Sequence, residues 1–174
     1  MEERTGEAFE MGEQLTVVGS RLLVGASAPA FELDWLNPDD AAIHSVKLGD
    51  STGKVRLLNL VNSLDTPVCH IETHRWDTLR SRLPPEVVIY TISMDLPFAQ
   101  ERWAKSEGVT HALLSSHRST QFGKDYGALI KEWRLLQRAV FVLDRAGSVV
   151  HAEYVGDQMT EPDYSAAVAA AKAA

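Results

Sequence analysis

Two mostly apolar runs, Val55–Val61 and Val87–Ser93, set the architecture open to this chain. A strand with one wet face alternates polar and apolar residues. These runs do not alternate, so both faces should be covered, as in the middle of an α/β sheet. Between them, Val68–Leu83 places Ile71, Trp76, Leu79 and Leu83 at helical spacing, and Pro84-Pro85 stops it. A second helix is expected over Pro97–Glu107, ended by Gly108, and a short strand over Ala112–Ser115. This β-α-β-α-β order implies a parallel region. Thr120–Tyr126 reads as a short helix. Ala139–Leu143 and Val149–Val155 read as strands joined by a turn at Asp144–Gly147, adding an antiparallel edge. The last helix should open at Thr160-Glu161-Pro162-Asp163, with Thr160 as N-cap.

Upstream of this core, residues 1–13 are polar and acidic and read as a loose, disordered leader. Leu15–Val18, Gly19-Ser20 and Arg21–Val24 read as a β-hairpin with a two-residue turn. Gly25–Leu33 leads into another short strand, Asn37–Asp40 reads as a turn and Val46–Leu48 as a strand. With no repeat and no linker, residues 14–174 are expected to form one domain. Its class is α/β: a mixed central sheet flanked by helices, thioredoxin-like in outline, with an N-terminal β-hairpin.

Net charge is −7 and no basic cluster stands out, which argues against nucleic-acid or anionic-membrane partners. No apolar stretch approaches the ~20 residues that span a bilayer, and the acidic N-terminus lacks a secretion-signal pattern. The chain holds one cysteine. It cannot build a disulfide framework, so a reducing cytoplasm is the expected compartment.

That cysteine, Cys69, ends the run Asn62-Ser63-Leu64-Asp65-Thr66-Pro67-Val68-Cys69, between an expected strand and an expected helix. In the first turn of a helix it meets unpaired N–H groups and the positive end of the helix dipole, which favour thiolate, the reactive form; the alternative reading is a small buried hydrophobe with an inert thiol. Thr66, three residues earlier, fits either a contact to the sulfur or substrate oxygen, or a helix cap. Arg138 opens a later strand. It fits either a cation beside the sulfur or a partner for a surface carboxylate. Together these groups suit attack by a thiolate on a peroxide oxygen, with fixed donors stabilising the leaving oxygen. His70 and His74 share a helix face, but Cys69 lies ~100° around the helix from His70, so the three are not read as a metal set; the histidines read as exposed.

The motifs resemble those of the thiol peroxidases, the atypical two-cysteine peroxiredoxins. Ser63–Cys69 is similar to the family's peroxidatic motif, and Ser93-Met94-Asp95-Leu96-Pro97-Phe98-Ala99-Gln100 to its second signature. Tyr126-Gly127, Arg138–Asp144 and Thr160–Tyr164 also follow the family pattern. The resemblance implies a thioredoxin fold, a homodimer, and reduction of hydrogen peroxide or alkyl hydroperoxides without a cofactor. It makes Cys69 the peroxidatic cysteine, Thr66 its hydrogen-bonding partner and Arg138 the active-site arginine, with Asn62, Pro67 and Val68 lining the substrate pocket. Two positions depart from the family. Asn62 stands where its motif has proline, and Ala104 where its resolving cysteine falls. A one-cysteine enzyme is implied, recycled by an external thiol such as a thioredoxin-like protein or glutathione. The alternative is a weakly active redox sensor, or a partner-binding protein, on the same fold.

Overall fold

Strand β5 (Arg56–Leu60) is buried at every position, as its unbroken apolar run requires. The computed structural model describes residues 1–174 and places β5 inside a seven-stranded sheet. Numbered in chain order, the other strands of that sheet are β3 (Glu32–Asn37), β4 (Ala42–Lys47), β6 (Val88–Ser93), β7 (Ala112–Ser115), β10 (Ala139–Leu143) and β11 (Val149–Tyr154). The spatial order is β11-β10-β5-β6-β7-β3-β4. β5, β6 and β7 run parallel, while β10 pairs antiparallel with both β5 and β11. Helices α1 (Pro67–Leu79) and α2 (Pro97–Glu107) make the two crossovers; α3 (Gln121–Asp125) and α4 (Tyr164–Ala173) follow. This is the mixed α/β sheet with flanking helices that the sequence led one to expect.

Alternation along the strands feeds two cores. Leu57, Ile89, Val140 and Val142 pack with Trp76 of α1 and with Ala167, Val168 and Ala171 of α4. Leu58, Leu60, Tyr90, Ile92, Phe141 and Leu143 face the other way, against Phe31, Phe122 and Tyr126. Burial on both faces contributes ~1.5–3 kcal/mol per large side chain relative to exposure.

The N-terminal reading needs correction. Residues 3–10 are not a loose leader but strand β1 (Glu3–Glu10), paired antiparallel with β2 (Glu13–Val18). The hairpin turn is Met11-Gly12, not Gly19-Ser20. Both residues take positive φ (50° and 85°), as a tight hairpin turn demands. Arg21–Leu23 forms no strand. Gly19 (φ 102°) serves a different purpose: a Cβ there would lie 2.0 Å from the Lys124 carbonyl oxygen, so only glycine permits the close approach. β1 and β2 continue into a second, four-stranded sheet, β1-β2-β8-β9, with β8 (Leu129–Ile130) and β9 (Leu135–Leu136).

Two helix details also differ. α4 is capped by Asp163, whose side chain accepts from Ala166 N, while the Thr160 hydroxyl donates to the Asp157 carbonyl. α1 buries Cys69, Glu72, Thr73 and Trp76, whereas Ile71 is 51% exposed. The inner face therefore follows i, i+3, i+4, i+7 from the cysteine rather than the phase set by Ile71.

Candidate active site

The loop between β5 and α1 is held by one carboxylate. Asp95, following β6, accepts from Ser63 Oγ (2.7 Å), Leu64 N (2.9 Å) and Ser93 Oγ (2.8 Å). These bonds fix where α1 begins. Thr66 is extended (φ −86°, ψ 144°), and Pro67 follows at the first helical position, where its missing N–H forfeits no bond. Cys69 is thus the third residue of α1, in its first turn as the sequence implied. It is fully buried, packed among Val61, Leu64, Trp103, Val109 and Leu113.

Arg138 lies beside it. Its Nη2 is 3.4 Å from Cys69 Sγ and also donates to the Gln158 carbonyl at 2.8 Å, while Nη1 donates to Glu72 Oε2. The alternative of a surface carboxylate is thereby replaced: the partner is a carboxylate, but a buried one. Glu72 stands three residues after Cys69 on the same inner face, and both it and Arg138 are fully enclosed. Burial pushes the Glu72 carboxyl up to about 8 against the pull of Arg138. Burial also works against the Arg138 charge, but Glu72 and the cysteine sulfur outweigh it and hold its pKa above the usual value. The guanidinium stays charged, so the proton that exchanges at this pair is that of Glu72.

Asn62 is built into the same network. Its Nδ2 donates to the Leu136 carbonyl (2.7 Å) and to Gln158 Oε1 (3.1 Å), and Cys69 Sγ donates weakly to its Oδ1 at 3.8 Å. A proline could make none of these bonds. Gln158 Oε1 also accepts from Arg138 N (2.9 Å), so one side chain positions both Asn62 and Arg138. Gln158 is itself fixed by β1, since its N–H donates to the Phe9 carbonyl. The Thr66 hydroxyl donates to the Ser63 carbonyl (2.8 Å) and makes no capping bond.

Above the first turn of α1 opens a cavity of about 370 Å³. Asn62, Thr66, Pro67 and Val68 line its floor side. Met11 at the β1–β2 turn, Trp133, Leu135 and Met159 supply apolar walls. The structure therefore gathers Asn62, Thr66, Pro67, Val68, Cys69 and Arg138 at one place. It adds Glu72 and Gln158, which sequence reasoning missed. His70 and His74 are half-exposed and turn toward Glu107 of α2 rather than toward the sulfur.

A buried thiol in a helix's first turn, with a guanidinium at its side and an apolar-walled opening above, is equipped to attack a small electrophile. Comparison with known proteins agrees. The redoxin family matches residues 23–168. A thiol peroxidase of Streptococcus sanguinis is 44% identical over 163 residues, covering 93% of this chain and 96% of the relative. One from Bacillus subtilis is 42% identical over 163 residues, covering 93% and 94%. Among solved structures, a peroxiredoxin-like protein from Aquifex aeolicus superposes with a TM-score of 0.84 at 32% identity, covering 97% of this chain and 98% of that one. Matched nearly end to end by relatives of that name, and carrying the buried cysteine–arginine pair, this chain belongs to the thiol peroxidase family of redoxins.

Proposed function

We propose that the protein is a thiol-dependent peroxidase that reduces hydrogen peroxide or alkyl hydroperoxides through Cys69. The observation that carries the reading is the 3.4 Å approach of Arg138 Nη2 to Cys69 Sγ in the first turn of α1. In the reaction, the Cys69 thiolate attacks one peroxide oxygen. The S–O bond forms as the O–O bond breaks, and the departing oxygen leaves as hydroxide or alkoxide and takes a proton, giving water or an alcohol. Arg138 and the N–H groups of α1's first turn face the developing negative charge. Thr66 supports the same oxygen once its hydroxyl turns from Ser63. Cys69 is left as a sulfenic acid.

No second cysteine exists in the chain to resolve it. An external thiol therefore condenses with the sulfenic acid, releasing water and forming a mixed disulfide, and a second thiol frees Cys69. The apolar walls of Met11, Trp133, Leu135 and Met159 suit the organic part of an alkyl hydroperoxide. A cytoplasmic location fits a lone cysteine that must be kept reduced, and no helix is long and apolar enough to cross a membrane. A homodimer is proposed from family resemblance, to be checked by sedimentation.

Stopped-flow oxidation of reduced protein by hydrogen peroxide and by cumene hydroperoxide, followed by tryptophan fluorescence with intact mass of the product, tests the reading. Fast formation of a Cys69 sulfenic acid, absent in Cys69→Ser, is expected. Oxidation at the rate of an ordinary free thiol would instead favour a redox sensor, which needs only a persistent sulfenic acid.

A further inference from the structure

His70, His74 and Glu107 form the cluster nearest the sulfur that peroxide chemistry leaves unused. The histidines are one turn apart on α1, and Glu107 is the last residue of α2. His74 Nε2 lies 3.0 Å from Glu107 Oε2 and His70 Nε2 lies 3.7 Å from it. One ligand atom from each of the three falls within 4.8 Å of the others. Around a zinc ion with bonds of ~2.0–2.2 Å, tetrahedral neighbours sit about 3.3 Å apart. The observed separations straddle that value, so small side-chain rotations close the site. Two imidazoles and a carboxylate suit a first-row divalent cation of the zinc type, whereas calcium and magnesium take all-oxygen sets. The side chains are 40%, 37% and 33% exposed, which leaves an entry path and room for a water as fourth ligand. Cys69 is not part of the set, because it points inward at Arg138.

We propose that His70, His74 and Glu107 bind a divalent cation of the zinc class that ties α1 to α2 and holds the first turn of α1 closed over Cys69. The clamp rests on the peroxidase reading above; the metal site does not. Cys69 is fully buried, and the cavity is lined by its neighbours Thr66, Pro67 and Val68 but not by the sulfur, so a small peroxide needs less opening of the first turn of α1 than a bulkier thiol needs to reach the sulfenic acid. His70 is the residue after Cys69, and a metal bond from it to α2 opposes that opening. Bound zinc therefore slows recycling more than it slows peroxide attack. The site also carries its own reporter. Trp103 Nε1–H donates to His70 Nδ1 at 3.2 Å, which leaves the ring proton on Nε2. Coordination through Nε2 moves that proton to Nδ1, where it faces the indole N–H, and the Trp103 bond is released.

The test begins with Cys69→Ser protein, so that the thiol cannot bind metal, titrated with zinc against a chromophoric chelator. One equivalent should bind in the micromolar range, with a change in Trp fluorescence. His74→Gln and Glu107→Gln in that background should each weaken binding by about 20–100-fold. No saturable binding, or binding untouched by both substitutions, overturns the site. In wild-type protein oxidised with one equivalent of peroxide, zinc should slow dimedone trapping of the sulfenic acid about tenfold, and this slowing should vanish in His74→Gln. Zinc that binds without slowing dimedone overturns the clamp. Absence of any dimedone adduct, with or without zinc, counts against the peroxidase reading and leaves the metal titration to stand alone.

Discussion

Arg138→Lys separates what the Arg138 charge does from what its shape does. The guanidinium reaches three partners at once: Glu72 through Nη1, and Cys69 Sγ and the Gln158 carbonyl through Nη2. A lysine nitrogen falls about one bond short of Nη2 and cannot fork. Moving the cation from 3.4 Å to about 4.6 Å from the sulfur lowers the attraction at an effective dielectric of ~20 from about 5 to about 3.6 kcal/mol. A charge-assisted hydrogen bond to the reacting oxygens, ~1.5–3 kcal/mol, is lost as well. Together these amount to about 3 kcal/mol, or roughly a hundredfold in rate. Glu72 keeps a cationic neighbour in this variant, so folding suffers little. In Arg138→Met the Glu72 carboxyl, already pushed up to about 8, stays protonated and loses a hydrogen-bond partner, an effect of ~1–3 kcal/mol. Stopped-flow oxidation by hydrogen peroxide gives the second-order rate constant, and thermal melts give stability. The lysine variant should be slow but well folded, and the methionine variant slow with a melt lowered by roughly 2–12 °C. A lysine variant within threefold of the wild-type rate would refute the idea that the fork acts on the reacting atoms.

Asn62→Ala strands the Leu136 carbonyl and removes one tether of Gln158, so it should lose about 2 kcal/mol of stability, read as a melt lowered by about 4–8 °C; an unchanged melt means the amide network is idle. Thr66→Val should slow peroxide attack roughly a hundredfold while Thr66→Ser largely restores it, and equal rates for all three proteins take Thr66 out of the reaction. Asp77 accepts at Oδ1 from His111 Nδ1, His111 N, Thr110 N and Thr110 Oγ1, joining α1 to the start of β7. The bond to His111 above all holds the Asp77 carboxyl well below the usual carboxylate range. Its folded pKa is depressed, so the stabilisation is present above about pH 4 and is lost as pH falls further. Wild type should exceed Asp77→Asn by about 1 kcal/mol at pH 7, with the gap narrowing as pH falls below about 4; a gap as wide at pH 2 as at pH 7 contradicts this account.

What the sequence disclosed follows from how each element is held. β10 and α2 have the bounds expected of them, because apolar runs and Gly or Pro stops mark elements that packing stabilises. β1 was invisible for the opposite reason. It turns Arg4 and Ala8 inward and joins the sheet through its backbone, which leaves no hydrophobic signature. The inner face of α1 was misphased because Glu72 reads as a solvated charge until Arg138 is seen against it. Cys69 was legible from its place after a strand, and Arg138 from resemblance together with its place at the start of a strand. Glu72 and Gln158 act through contacts to Arg138 spanning 66 and 20 residues, and no local pattern records such pairs.

The two sheets divide the labour of the pocket. The seven-stranded sheet and α1 carry the sulfur and the cation. The turn of the four-stranded sheet's first hairpin and the β8–β9 segment supply Met11, Trp133 and Leu135 above them. Reactivity and selectivity thus reside in separately replaceable parts of the chain. Exchanging residues 10–14 or 131–135, with Phe9 kept because its carbonyl holds Gln158, offers a way to retune which hydroperoxide enters while the sulfur keeps its surroundings.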